Sequence, residues 1–293
     1  MSSFTSSPAQ LPAFLSPELT HQLAGAQRCV TRCDGADTVW HVWGELGRPV
    51  VVLLHGGSGS WTHWVLNIAP LLGAGWRVLV PDLPGFGDSD LPAGCTDTDD
   101  LPEHLHAGLT HLAPVGPVSL VGFSFGGMTA ALWLDAFPQD ARQLVLVGAP
   151  GLGLTVPERI ALKGWRHLPT PEAQAQVHRH NLRVLMLQAP ERLDALALAL
   201  HTANVQRDRM PRRRLSGTPI VAEVLPRLQV PVSAIYGEHD ALYRGRLSQV
   251  QSALAAWAPL AGPWHTIPGA GHWVQYEAAA LFDEALAQVL GPP

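Results

Sequence analysis

Short apolar runs, each closed by Gly, Pro or Asp, recur along this chain and constrain its fold more than any other feature. They occupy residues 49–54, 77–80, 118–121, 144–147 and 230–236. Uninterrupted Val- and Leu-rich runs of this length fit strands buried on both faces, as in a parallel sheet. Between them lie segments with helical spacing, at residues 61–72, 102–112, 125–137 and 244–257. Strand alternating with helix predicts an α/β fold: a mostly parallel sheet covered on both faces, with right-handed crossovers.

The alternation fails in one interval. Between residues 147 and 230 no strand is evident, only helix-like sequence punctuated by Pro157, Pro169, Pro171, Pro190 and Pro211. The chain has 293 residues, and α/β folds commonly run to about 250 residues as one domain. One core with an appendage is therefore expected: a core over residues 28–153 and 217–293, and a helical cap over residues 154–216. Ligands of open α/β sheets bind beyond the carboxyl ends of the strands, and this insertion leaves from such an end, so it is expected to roof the site. Residues 1–27, with a Ser/Pro-rich start, are expected to form a flexible arm.

Charge and cysteine content exclude several classes. Nineteen basic and 24 acidic side chains give a formal charge of −5, which opposes whole-surface attraction to nucleic acid or anionic lipid. Lys163 is the only lysine, so Schiff-base chemistry has a single candidate. The three cysteines, Cys29, Cys33 and Cys95, are too few for a disulfide scaffold and lack zinc-ligand spacing. Free thiols and no metal are expected. The N-terminal residues lack the form of a signal peptide, and no apolar stretch approaches the ~20 residues that span a bilayer. A cytoplasmic protein is expected, acting on a small molecule without nucleic acid or membrane partner; a homodimer is left open.

The strongest chemical signal is Gly122-Phe123-Ser124-Phe125-Gly126, which follows one apolar run directly and opens a helix-like segment. This is G-x-S-x-G in the strand–turn–helix context that the pattern requires. Glycines on either side let strand and helix approach without Cβ clashes, and Ser124 is expected at a helix N-terminus with its hydroxyl exposed. A serine nucleophile needs a base, and the base an orienting carboxylate, in the chain order Ser, Asp or Glu, His. Asp240 lies in Gly237-Glu238-His239-Asp240, just past the fifth run. His272 lies in Gly269-Ala270-Gly271-His272-Trp273, just past a short strand-like segment at residues 264–267. Glu238 and His239 are displaced from these positions, and His265 falls within the strand. Asp82 and Asp88 are read as turn formers.

The oxyanion hole needs two N–H donors. The backbone N–H of Phe125 is one, and Gly57 in Leu54-His55-Gly56-Gly57-Ser58-Gly59 is the expected second. That loop lacks the G-K-[ST] ending of a P-loop and is not G-x-G-x-x-G, so no nucleotide cofactor is expected. The pocket should be largely apolar, with Trp61, Trp64, Trp165 and Trp273 as candidate substrate-binding residues beside Phe125.

Together His55-Gly56-Gly57, Pro81-Asp82-Leu83-Pro84-Gly85-Phe86-Gly87, Gly122-Phe123-Ser124-Phe125-Gly126-Gly127, Gly237-Glu238-His239-Asp240 and Gly271-His272-Trp273 resemble the α/β-hydrolase superfamily. The resemblance implies an eight-stranded sheet, a Ser-Asp-His triad and a cap inserted after the sixth strand. Within the superfamily the chain is similar to the meta-cleavage-product hydrolases, which split carbon–carbon bonds of dienoic diketones, notably through residues 271–277. Two departures stand against that narrower likeness. Those hydrolases usually carry Asn before the nucleophile, where this chain has Phe123. They also use a cap arginine; near that place stand His201-Thr202-Ala203-Asn204-Val205, with Arg207 and Arg209 close by. The run from Arg207 to Arg214 is read as a solvated cap edge. Because Phe123 donates no hydrogen bond to a polar dienol, an ester or similar acyl substrate is the first expectation. Carbon–carbon cleavage is the alternative, and ligand binding without turnover a third reading.

Overall fold

A computed structural model describes residues 4–113, 116–154 and 160–293. Nine strands form one sheet: β1 (Phe4–Pro8), β2 (Gln27–Cys33), β3 (Ala36–Trp43), β4 (Val50–Leu54), β5 (Arg77–Pro81), β6 (Val118–Phe123), β7 (Ala141–Val147), β8 (Val232–Gly237) and β9 (Ala261–Ile267). Their order is β1-β2-β3-β5-β4-β6-β7-β8-β9. From β5 onward all pairings are parallel, whereas β1, β2, β3 and β5 pair antiparallel.

The apolar runs of the central strands fill both faces because successive side chains point to opposite sides. Along β4, Val52 and Leu54 enter one core while Val51 and Leu53 enter the other. β7 divides in the same way, with Leu144 and Leu146 on one side and Val145 and Val147 on the other. Helices α1 (Pro17–Gln22), α2 (Ile68–Gly73), α3 (Pro102–Leu112), α4 (Phe125–Ala136), α5 (Pro171–Asn181), α6 (Ala195–Gln206), α7 (Ile220–Val224), α8 (Leu247–Trp257), α9 (Val274–Glu277) and α10 (Ala279–Leu290) make up the rest. α4 is buried along most of its length, with Gly126, Gly127, Ala130 and Ala131 allowing close approach to the sheet.

The sheet has one strand more than expected. The extra strand lies in the Ser/Pro-rich start: residues 4–8 pair antiparallel with β2, Phe4 opposite Thr31 and Pro8 opposite Gln27. All five of its residues are exposed, so backbone hydrogen bonds rather than apolar burial hold it, and hydropathy carries no trace of it. α1 follows, capped by Ser16 Oγ accepting from the Leu19 amide. The reading of residues 1–27 as a flexible arm therefore does not describe residues 4–8 or 17–22; residues 1–3 lie outside the described residues.

Between β7 and β8 come α5, α6 and α7. Thr170 caps α5 and Asp194 caps α6, each accepting from the third amide beyond it. After α5 the chain winds through one π-helical turn, Leu182–Met186, where the Leu187 amide reaches back five residues to the Leu182 carbonyl at 2.8 Å. Residues 155–159, Pro157 among them, lie outside the described residues.

Candidate active site

Each of the three residues expected to carry chemistry stands just past the carboxyl end of a strand. Ser124 follows β6, Asp240 follows β8, and His272 lies in the loop between β9 and α9. His272 Nε2 is 2.9 Å from Ser124 Oγ, and His272 Nδ1 is 2.9 Å from Asp240 Oδ2. Asp240 and His272 are buried. The second carboxylate oxygen of Asp240 accepts the Leu242 amide at 2.9 Å, so the group is fixed at both ends.

Ser124 has φ 51° and ψ −117°, a backbone conformation that L residues rarely adopt. Its own amide donates to the Val147 carbonyl at 2.7 Å, which holds the turn against β7. The surrounding glycines are there for lack of space. A Cβ on Gly126 would lie 2.5 Å from the Leu54 carbonyl oxygen and 2.6 Å from that of His55, and one on Gly127 would lie 2.6 Å from Ala149 Cβ. A strained nucleophile turn is the geometry that G-x-S-x-G encodes.

The amide of Phe125, first residue of α4, is among those a helix leaves without an intrahelical acceptor. Across the cavity runs the loop carrying Gly57. Two buried histidines brace that loop. His55 Nδ1 donates to the Gly56 carbonyl at 2.8 Å while its Nε2 accepts the Leu83 amide at 2.9 Å. His63 Nδ1 accepts the Gly56 amide at 3.2 Å. Burial lowers both histidines, His55 to about 4 and His63 well below its ordinary range. Both are therefore neutral, as their acceptor roles require.

Ser124, His272, Gly57 and Phe125 share a cavity of about 580 Å³. Its apolar wall comes from Phe123, Ile160, Leu162, Leu185, Met186 and Leu242. None of the four expected tryptophans lines it. Trp64 and Trp273 are fully buried and Trp61 nearly so, packed into the core beneath the loop. Trp61 instead borders a separate cavity near residues 10–14, and Trp165 packs at a tilt against His178, ring centres 5.1 Å apart. Large aromatics fill the layer below the site, whereas smaller aliphatic residues from the β7–β8 segment face the reacting groups.

The arginine run also departs from expectation. Arg207 pairs with Asp88 at 2.8 Å, and Arg209 donates to the carbonyls of Phe86, Gly87 and Ser89; neither lines the cavity. Arg213 does line it, with its side chain only 20% exposed. No sequence signal marked Arg213 or the aliphatic wall, because what brings them to the cavity is contact with segments distant in the chain, Ser58 for Arg213 among them.

The β7–β8 segment is tied to the loop that carries His272. Glu277, buried, accepts the Gln188, Ala189 and Gly271 amides at 2.5–2.7 Å. Gly271 immediately precedes His272. The Trp273 amide donates to the Met186 carbonyl at 2.8 Å. Burial raises the Glu277 carboxyl, opposed by its amide donors.

Among the described residues one group has the spacing for a metal ion: His41, Asp82 and Asp88. Both Asp82 oxygens already accept amides, from Trp61 at 2.8 Å and Asp88 at 2.9 Å, and Asp88 holds Arg207. This group serves the turn scaffold. No helix among the described residues is long and apolar enough to cross a membrane.

Comparison with known proteins bears on the family and the fold. A curated relative from Cupriavidus pinatubonensis, a 2-hydroxy-6-oxononadienedioate/2-hydroxy-6-oxononatrienedioate hydrolase, is 28% identical over 92% of this chain and 96% of its own. A hydrolase of the same name from Escherichia coli is 26% identical over 84% and 88%. Among solved structures, carboxylesterase CesB from Bacillus subtilis superposes with TM-score 0.77 at 20% identity, covering 93% of this chain and 94% of that one. The meta-cleavage product hydrolase CumD from Pseudomonas fluorescens superposes with TM-score 0.70 at 24% identity, covering 88% and 95%. The model of the alpha/beta hydrolase family matches residues 51–285, and the chain belongs to that family.

Proposed function

We propose that the protein is a serine hydrolase that cleaves an ester or similar acyl bond of a small, partly apolar molecule. The observation that carries this reading is the unbroken chain from Asp240 through His272 to Ser124, both links at 2.9 Å. His272 Nε2 takes the Ser124 proton as Oγ attacks the substrate carbonyl carbon. Asp240 accepts from Nδ1–H, fixes the tautomer and stabilises the imidazolium. The carbonyl oxygen, now negative, is received by the Gly57 and Phe125 amides. Collapse of this intermediate expels the alcohol, which takes its proton from His272, and water then releases the acyl group from Ser124 by the same sequence in reverse roles. Residues 154–216 act as a cap whose Ile160, Leu162, Leu185 and Met186 shape the acyl pocket.

Phe123 supports the acyl reading, since its ring presents no hydrogen-bond donor to a polar dienol. The second reading, hydrolysis of a carbon–carbon bond in a ring-fission dienoate, is favoured by the names of the curated relatives. A panel of p-nitrophenyl esters and a ring-fission dienoate, run with wild type and Ser124→Ala, tests both. Ester turnover that drops by about 10³-fold or more in Ser124→Ala supports the proposal. Dienoate turnover with negligible esterase activity selects the second reading, and a Ser124→Ala variant as active as wild type refutes both.

A further inference from the structure

We propose that Ser58, Asp208 and Arg213 form a clamp by which the β7–β8 segment holds the oxyanion loop in its working shape; this rests on the reading of Ser124 as nucleophile. Ser58 directly follows Gly57 and has φ 52°, which among the described non-glycine residues only Asp34 and Ser124 share as a positive value. Such a conformation persists in a side-chain-bearing residue only where surrounding contacts impose it. Ser58 Oγ donates to Asp208 Oδ2 at 2.5 Å and accepts from Arg213 Nη2 at 3.1 Å. Arg213 Nη1 closes the ring on both Asp208 oxygens at 3.1 Å and also donates to the Met210 carbonyl.

The same guanidinium touches both sides of the oxyanion site. A Cβ on Gly57 would lie 3.3 Å from Arg213 Nη2, so the cation lies flat against that glycine. It also lies 5.4 Å from the ring centre of Phe125, the residue carrying the second amide. Asp208 and Arg213 are mostly shielded from water, where hydrogen bonds between charged groups gain strength. Ser58 and Asp208 are 150 positions apart, so the shape of the loop depends on the β7–β8 segment being seated. These three act as positioning residues: they fix the backbone on the carboxyl side of Gly57, while His55 holds the carbonyl of the Gly56–Gly57 peptide that carries the Gly57 N–H, so that the loop is gripped on both sides of the expected donor.

The test is the second-order rate of labelling by a fluorophosphonate, which needs Ser124, His272 and a formed oxyanion hole but not the natural substrate. Ser58→Ala keeps the strained backbone without the hydroxyl and is expected to label about 10-fold or more slowly than wild type. Ser58→Gly takes the positive φ freely and is expected to stay within about 3-fold of wild type. Asp208→Asn should follow Ser58→Ala, and the double variant Asp208→Asn/Ser58→Gly should recover; this second comparison decides the question if Ser58→Ala does not fold. A purely stabilising role would lower thermal midpoints in all variants and give no Ala–Gly difference in rate. Equal rates for Ala and Gly, or no recovery in the double variant, overturn the clamp. Labelling of Ser124→Ala at the wild-type rate overturns the nucleophile assignment itself, whereas its silence with equal Ala and Gly rates overturns only the clamp.

Discussion

Glu277 holds three backbone amides with two oxygens, and no neutral isostere can do the same. Glutamine replaces one acceptor by an N–H₂ donor, which would face the Gly271 amide or those of Gln188 and Ala189. Leaving a buried donor unpaired costs about 1–3 kcal/mol. Glu277→Gln is expected to lose stability in that range in urea unfolding, and a loss well under 1 kcal/mol would contradict the assignment. At Gly126 the obstacle is steric. A methyl group would press on two backbone carbonyls that cannot rotate away, so Gly126→Ala is expected to cost about 3 kcal/mol or to abolish folding; a folded variant of wild-type midpoint would refute the close approach. The candidate triad was legible in sequence because Ser124 and Asp240 sit in glycine-marked loops directly after apolar runs, and His272 in one after a short strand-like segment. Arg213 was not legible, because the partners that withdraw it from water include Ser58, 155 positions away. The tryptophans misled for a related reason: residue type marks an aromatic as apolar but not the layer in which it packs.

At the scale of elements, legibility followed unbroken apolar sequence rather than burial: β3 is buried at seven of its eight residues but is interrupted by Asp37, Thr38 and His41 and gives no run. The strands from β4 to β8 have apolar neighbours on both faces and so appear as continuous runs. β2 mixes half-exposed polar residues with buried ones, and β1 carries no apolar period at all. The edge strand should therefore be dispensable. Removing residues 1–8 forfeits exposed backbone hydrogen bonds worth together about 1–2 kcal/mol, and the fluorophosphonate labelling rate should be unchanged. A change in that rate beyond twofold would show that β1 supports the site. The same truncation bares the edge of β2, whose unpaired backbone groups should increase self-association at high concentration, read by light scattering.

For the molecule as a whole, the buried histidines set an acid limit. Burial lowers His55 and His201 to about 4, and His63 well below its ordinary range. Between pH ~6.5 and ~4 the unfolded chain binds protons that the folded chain refuses, so stability is full above about 6.5 and is lost as pH falls, by up to about 1.4 kcal/mol per pH unit for each histidine. His201 stands outside the candidate triad, edge-on to His178, and its Nε2 is buried without a partner among the described residues. His201→Gln should shallow the pH dependence of the urea midpoint by about one proton's share. An identical slope would show that His201 titrates alike in both states.

The π-helical turn at Leu182–Met186 sets one wall of the cavity by length rather than by identity. It contains one residue more than α winding needs, and Leu185 and Met186 face the cavity from it. Each residue of an α-helix advances about 100° around the axis. Excising a single residue there would rotate both side chains out of the pocket and withdraw the Met186 carbonyl from the loop that carries His272. An alteration of one codon's length, replacing no side chain of the candidate triad, would thus reshape what the enzyme accepts.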